Sequence, residues 1–355
     1  MKRAKLLSIA VAGSLCALAL IGCGGKTEAA KPAAKSEAKA KGIPLKYNFN
    51  NSEAHYAAGD PASYGLKAFT DHLKANGPDV FDVKIFYGNQ LAAKIDETLP
   101  ALKSGGFEVG GEPYGNLGGV TKAFMPLNFP FLMRTWDDAD KYWKGPVGQR
   151  MRADAEKDMG IKIIWSMYIG FRDITNSRAP IHKPADMKGL KIRTMNDPYQ
   201  VAAMGALGAS PTPMAWSELF TALQQKVVDA QENPIMNIYN AKMYEVQKYV
   251  TKTGHNFTWA GTFVSKEWFD KLPPNAQKLL LDAGAAAEKA CFDQLKVVET
   301  RMEKELVEKY GMQIYTPTAE EAAAFQKTCK SVYEDIRKVI GDDYYNLIMK
   351  EMNVK

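Results

Sequence analysis

Three features of this 355-residue chain predict an α/β fold of two lobes. Beyond a leader and a low-complexity tether, about 310 residues remain, more than one hydrophobic core comfortably serves, so two domains are expected. Short apolar strands alternate with helical patterns throughout, which gives the sheet a parallel character. A helical periodicity then runs from Pro274 to about Tyr310, longer than an ordinary globular helix, and suggests an element spanning both lobes.

The elements follow from period and punctuation. Residues 45–50 read as a strand, 61–76 as a helix opened by Pro61, 81–87 as a strand and 91–103 as a helix. A short strand at 107–109 precedes a Pro-rich crossing, helices near 136–143 and 147–159, and a strand at 161–167. Further strands are expected at 191–193 and 246–251, with helices at 198–207, 216–225 and 234–242. The chain re-enters an apolar strand at 258–264 before the long helix, and a strand at 312–316 and two helices close it. No solenoid-length repeat is visible.

At the start, Lys2, Arg3 and Lys5 precede an apolar run from Leu6 to Ile21, too short and wrongly flanked for a membrane span. Residues 1–22 therefore read as a signal peptide. The tetrapeptide Leu20-Ile21-Gly22-Cys23 resembles a bacterial lipobox, whose cysteine becomes a diacylated N-terminus; a chance cysteine at an ordinary cleavage site is the alternative. Residues 24–42 contain only Gly, Lys, Thr, Glu, Ala, Pro and Ser, and read as a flexible tether. Leader and tether carry eight of the 46 basic residues and two of the 40 acidic ones, so the body is balanced at 38 of each. That balance gives no support to a nucleic-acid surface or a strongly basic membrane face.

Cys291 and Cys329 are the body's two cysteines, both in helix-like sequence. Small buried thiols are expected, with a disulfide as the alternative that geometry decides. The sequence contains no G-x-S-x-G, Walker A lysine, C-x-x-C or H-E-x-x-H, and its four histidines are scattered. Neither a metal nor a cofactor is expected, and the enzyme reading is weakened. The glycines between Gly105 and Gly119 lack dinucleotide spacing and read as tight turns lining a cleft.

What the sequence offers instead is anion-binding chemistry. In Gly189-Leu190-Lys191-Ile192-Arg193-Thr194 the alternation separates Ile192 from Lys191 and Arg193. An arginine held at a strand end presents a planar fork to both oxygens of a carboxylate, although a solvated arginine fits the pattern too. Arg172 follows an apolar strand ending near Tyr168, at the carboxyl end where α/β proteins place ligands. Asn233, just before Pro234, reads both as a helix N-cap and as a ligand-binding residue. Trp216 opens an apolar helix after Pro211-Thr212-Pro213, as a core residue or the aromatic wall of a pocket.

The runs GFRDITNSR, DMKGLKIR, GASPTPMAWSELFTALQQKVVDAQENP and KMYEVQKYVTKTGHNF, in that order, resemble the solute-binding subunit of TRAP (tripartite ATP-independent periplasmic) transporters, the DctP-type family. The resemblance covers essentially the whole body. It implies a hinged two-lobe periplasmic binding protein, joined by crossing strands and the long helix and closing on an organic acid. It further implies a small and a large membrane subunit that take the ligand up with an ion gradient. The expected lobes are residues 43–169 with 258–297, and 170–257 with 298–355.

Residue by residue, the resemblance makes Arg193 the principal carboxylate ligand and Asn233 its assistant, matches Arg172 to the arginine of the G-x-R block, and sets Trp216 at the aromatic wall. Asn50 at the end of the first strand, Glu112 in the Gly-rich turn, Asn196 and His255 fall where relatives line the pocket. The stretch Thr194-Met195-Asn196-Asp197 lacks the proline common there, which bears on ligand identity more than on fold. A C4-dicarboxylate or a 2-hydroxy or 2-oxo acid leads, ahead of a sugar acid or an aromatic acid. The competing class is a periplasmic lipoprotein enzyme with Glu112 or His255 as acid or base. An ABC-type or sensory binding protein would share the hinge, but the ordered blocks favour the TRAP reading.

Overall fold

The computed structural model describes residues 42–57 and 59–354. The expected signal peptide, Cys23 and all of the tether but Gly42 lie outside the described residues. Ten strands are described: β1 (Ile43–Phe49), β2 (Phe81–Tyr87), β3 (Val109–Pro113), β4 (Ile161–Asn176), β5 (Lys191–Thr194), β6 (Ser210–Pro213), β7 (Ala230–Pro234), β8 (Tyr249–Thr251), β9 (Phe257–Ser265) and β10 (Gln313–Tyr315). They join in the order β2-β1-β3-β9-β4-β7-β5-β6, with β8 also on β4 and β10 on β8.

The parallel character expected from the sequence holds only towards the edges. β1 is parallel to β2 and β3, and β5 to β6 and β7, but β9 and β4 run antiparallel to their neighbours at the centre. β4 is the crossing strand. Residues 161–171 pair with β9, while Arg172–Asn176 pair with β7, and β8 joins from Ile174. It runs well past the expected end near Met167, because the ladder skips Ile169 and resumes at Gly170, whose φ is 127°.

Alternation along the central strands separates two cores, one on each face of the sheet. On β9, Phe257, Trp259 and Phe263 enter one core, and Ala260 and Val264 the other. The long helix, Pro274–Glu308, is 35 residues, or about 50 Å. Its stripe Leu280, Ala283, Ala287, Cys291, Leu295, Val298, Met302 and Leu306 is buried at spacings of three and four. At Gly284 a Cβ would stand 2.1 Å from the Ile164 carbonyl oxygen, so only glycine permits this approach of helix to crossing strand.

Helix starts are specified locally. The Asp60 carboxylate accepts from the Ser63 amide at 2.8 Å and caps Pro61–Asn76, and Asp197 accepts from the amides of Tyr199 and Gln200 to cap Pro198–Ala206. Three helices rather than two close the chain, Ala319–Thr328, Lys330–Ile340 and Asp342–Glu351. Cys291 and Cys329 are buried and unbridged, each thiol directed at a backbone carbonyl, Tyr168 and Ala203 respectively.

Candidate functional site

Arg193 lies in β5 between β6 and β7, opposite Thr212 and Gln231. It is 2% exposed, so its charge is not solvated in place. Nε and Nη2 donate to the Met214 carbonyl at 3.0 and 2.7 Å, and Nη1 has no hydrogen-bond partner. Among the described residues no carboxylate forms an ion pair with it. Burial pulls its pKa down to about 10, against the field of Glu232. A buried cation without a counter-charge is costly, and a carboxylate is a group that supplies both charge and acceptors. The Trp216 ring centroid lies 6.0 Å from the guanidinium carbon; at 45% exposed, that ring is not part of the core.

Arg172 has a different environment. It lies inside β4, not beyond a strand end, because β4 continues to Asn176. Nε and Nη2 engage the carboxylate of Glu232, Nη2 to Oε1 at 2.9 Å, and Nη1 donates to Thr258 Oγ1 at 3.0 Å. His255 Nε2 stands 3.1 Å from the same carboxylate, with Nδ1 2.8 Å from Thr253 Oγ1. Burial alone would raise the pKa of Glu232. The charge of Arg172 and the hydrogen bonds of His255 and Arg172 outweigh it and hold the carboxyl at about 2.

Register divides these groups between the two faces of the sheet. Residues opposite one another share a face, so Arg172, Ile174, Glu232 and Ala230 lie together, and Arg193, Gln231, Asn233 and Thr175 lie on the other side. On the Arg193 face, Gln231 Nε2 donates to Thr175 Oγ1 at 2.8 Å, Asn233 Nδ2 donates to Gln231 Oε1, and Asn237 Nδ2 donates to Asn233 Oδ1 at 3.1 Å. Asn233 is therefore a strand residue with both ends of its amide engaged. It is not the N-cap; Pro234 holds that position and the helix begins at Ile235.

The other expected residues are placed as follows. Glu112 is in β3, not in a turn; Asn116 Nδ2 donates to its Oε1 at 2.6 Å, and burial pushes its carboxyl up to about 7. Asn50 follows β1 and is partly exposed, and Asn196 is exposed beyond β5. Glu232 was not anticipated. It lies inside the QENP block, whose polar residues gave no hydropathy signal of a buried strand.

Residues 52–338 match the family described as bacterial extracellular solute-binding protein, family 7 (DctP). The 2,3-diketo-L-gulonate-binding periplasmic protein of Escherichia coli is 32% identical over 274 residues, 77% of this chain and 80% of that protein. A C4-dicarboxylate-binding periplasmic protein of Vibrio cholerae is 30% identical over 305 residues, 85% of this chain and 88% of the relative. A TRAP periplasmic solute-binding protein from Ochrobactrum anthropi, solved with a C-terminus in its ligand pocket, superposes with a TM-score of 0.78 at 32% identity, covering 88% of this chain and 95% of that one. One from Polaromonas, bound to D-erythronate, gives 0.78 at 28% identity over 86% and 98% of the chains.

An α/β sheet with a crossing strand, and a buried arginine towards one end of it that no carboxylate pairs among the described residues, fits a two-lobe binding protein. The chain is a member of the DctP family of TRAP periplasmic solute-binding proteins, receptors for transport and not enzymes.

Proposed function

We propose that this protein captures a small organic acid by pairing its carboxylate with Arg193 and hands it to the two membrane subunits of a TRAP transporter. The single observation that carries the reading is the Arg193 guanidinium, buried, with Nη1 unmatched and no carboxylate of the described chain against it. Asn233 and Trp216 complete the receiving side, while Arg172 stands neutralised by the Glu232 carboxylate. Relatives that bind a diketo-gulonate, a C4-dicarboxylate and D-erythronate support the ligand class.

Closure follows from a ligand that touches both lobes only when they meet, and so stabilises the closed form by its differential affinity. The lobe boundaries at 169/170, 257/258 and 297/298 belong to the same reading, since β4 hands over from β9 to β7 beside the first of them. Lipidation of Cys23 would keep the receptor at the membrane; Cys23→Ala releasing it from the membrane fraction supports the anchor, and unchanged retention contradicts it.

The test of ligand class is a thermal-shift screen of the protein against organic acids at fixed pH. A ligand that binds only the folded state raises stability by about 3 kcal/mol at a hundredfold excess over Kd. A large shift with one acid supports the reading. No shift across the panel, with folded and ligand-free protein, contradicts it.

A further inference from the structure

On the Arg193 face of the sheet a single file of buried side chains runs from the backbone ahead of β8 to Asn233. Gln247 heads it. Its Nε2 donates to two main-chain carbonyls, Asp229 at 3.2 Å and Val246 at 3.0 Å, so both of its hydrogens are spent. Its Oε1 accepts from Thr175 Oγ1 at 2.8 Å, and Thr175 Oγ1 in turn accepts from Gln231 Nε2 at 2.8 Å. Gln231 Oε1 accepts from Asn233 Nδ2, and Asn233 Oδ1 accepts from Asn237 Nδ2 at 3.1 Å. Thr175, Gln231, Asn233 and Gln247 are at most 4% exposed, so each relies on its neighbours in the file rather than on bulk water.

The file has a direction, and the main chain sets it. A carbonyl oxygen only accepts, so the Gln247 amide cannot turn over without setting its own oxygen against two others. Thr175 has one hydroxyl hydrogen, which goes to Gln247, so towards Gln231 it accepts. Gln231 and then Asn233 are each held in one orientation by the link before. Asn233 Nδ2 carries two hydrogens; one goes to Gln231, and the other has no acceptor among the described residues. Asn233 stands two residues along β7 from Gln231, which lies opposite Arg193, so both side chains emerge on the Arg193 face. Turned over, the Asn233 amide would offer an oxygen in place of that free N–H, and a carboxylate would meet an acceptor instead of a donor.

We infer that Gln247 and Thr175 are positioning residues for ligand capture, which act through Gln231 to hold the donor end of the Asn233 amide available to the carboxylate. The inference rests on the assignment of that carboxylate to Arg193 with Asn233 beside it.

Calorimetry with D-erythronate, succinate and 2,3-diketo-L-gulonate tests this, using whichever acid wild type binds most tightly, with urea unfolding of every variant alongside. Thr175→Val keeps the volume and removes the link; it should weaken binding about tenfold, the order of one hydrogen bond to a charged group. Thr175→Ser keeps the hydroxyl and should bind like wild type. Gln247→Met removes the anchor, leaves every group beside Arg193 in place, and should weaken binding as Thr175→Val does. The decisive comparison is a double-mutant cycle. In an Asn233→Ala background Thr175→Val should have no further effect, because the group it positions is gone, whereas damage to the fold would persist there. Should Thr175→Val not fold, Gln247→Met carries the same cycle. The relay is overturned by a loss that persists in the Asn233→Ala background, by Thr175→Ser binding as poorly as Thr175→Val, or by Thr175→Val and Gln247→Met both binding like wild type. Arg193→Ala separates the two readings. Should it leave affinity intact, or should wild type bind none of the three acids, the carboxylate assignment fails and the relay with it; should it abolish binding while Thr175→Val and Gln247→Met bind like wild type, only the relay fails.

Discussion

Arg172 and Glu232 meet across the β4–β7 pair as a fully buried, two-pronged ion pair, each side chain 1% exposed and Nη2 2.9 Å from Oε1. Arg193, one strand further along the sheet, has only a backbone carbonyl for its Nε and Nη2. Two arginines that look alike in sequence therefore differ in kind: one is neutralised by the fold and the other has no carboxylate against it among the described residues.

Removing the Arg193 charge should not harm the empty protein. Arg193→Met deletes a buried cation that has no anion partner, and unliganded stability should stay the same or rise by about 1 kcal/mol. Urea unfolding measures it. A loss of several kcal/mol would mean that the bonds to Met214 hold the fold together, and that Arg193 is a structural residue.

Removing the neutralised charge should be damaging. Arg172→Met leaves Glu232 buried without its cation and should cost about 3–5 kcal/mol. Adding Glu232→Gln should restore part of that loss, because the stranded charge disappears. Equal stability of the single and double variants would show that the pair is not energetically coupled.

Asp173 gives the fold a pH dependence of predictable sign. It is buried where Lys252, Glu299 and Glu303 converge; burial pushes its carboxyl up to about 7, and Glu299 is raised to about 7 for the same reason. A folded-state value above the unfolded one means that the proton is bound more tightly in the folded chain. The contribution is complete below about pH 4 and is lost as pH rises through about 7. Asp173→Asn keeps Oδ1 for the Gly254 amide, 2.9 Å away, and removes the charge. It should flatten the decline between about pH 4 and 7 and raise the melting temperature at pH 8 by about 2 °C or more. A wild-type profile flat across that range would contradict the placement of the carboxyl.

Trp216 is expected to matter for ligand and little for stability. With 45% of its surface exposed, Trp216→Ala should cost under about 1 kcal/mol of folding stability while weakening acid binding about tenfold. Unfolding and titration of the same variant separate the two effects. Unchanged affinity would remove Trp216 from the pocket wall.

The helix Pro61–Asn76 and strand β2 were legible in the sequence because period, proline and glycine agreed. β7 was not. Its residues Gln231, Glu232 and Asn233 are polar, so hydropathy gave no strand, yet all three are buried, each with its side chain hydrogen-bonded or ion-paired. β6 was hidden by Pro211 and Pro213, tolerated because β6 forms an end of the sheet. Arg193, Asn233 and Trp216 could be singled out from the chain, but not the partition of the two arginines between faces. That depends on the Arg193–Gln231 and Arg172–Pro234 registers, and strand pairing is a long-range property that no local pattern encodes.

The central claim is tested most directly by titrating wild type and Arg193→Ala in a calorimeter with the acid that gives the largest thermal shift. Losing one partner of a buried charge pair typically costs about 2–5 kcal/mol, so Arg193→Ala should weaken binding roughly thirty- to several-thousand-fold. Arg193→Lys should recover little of it, since charge without the planar fork cannot hold both oxygens. An Arg193→Ala protein that binds this acid as tightly as wild type would contradict the account.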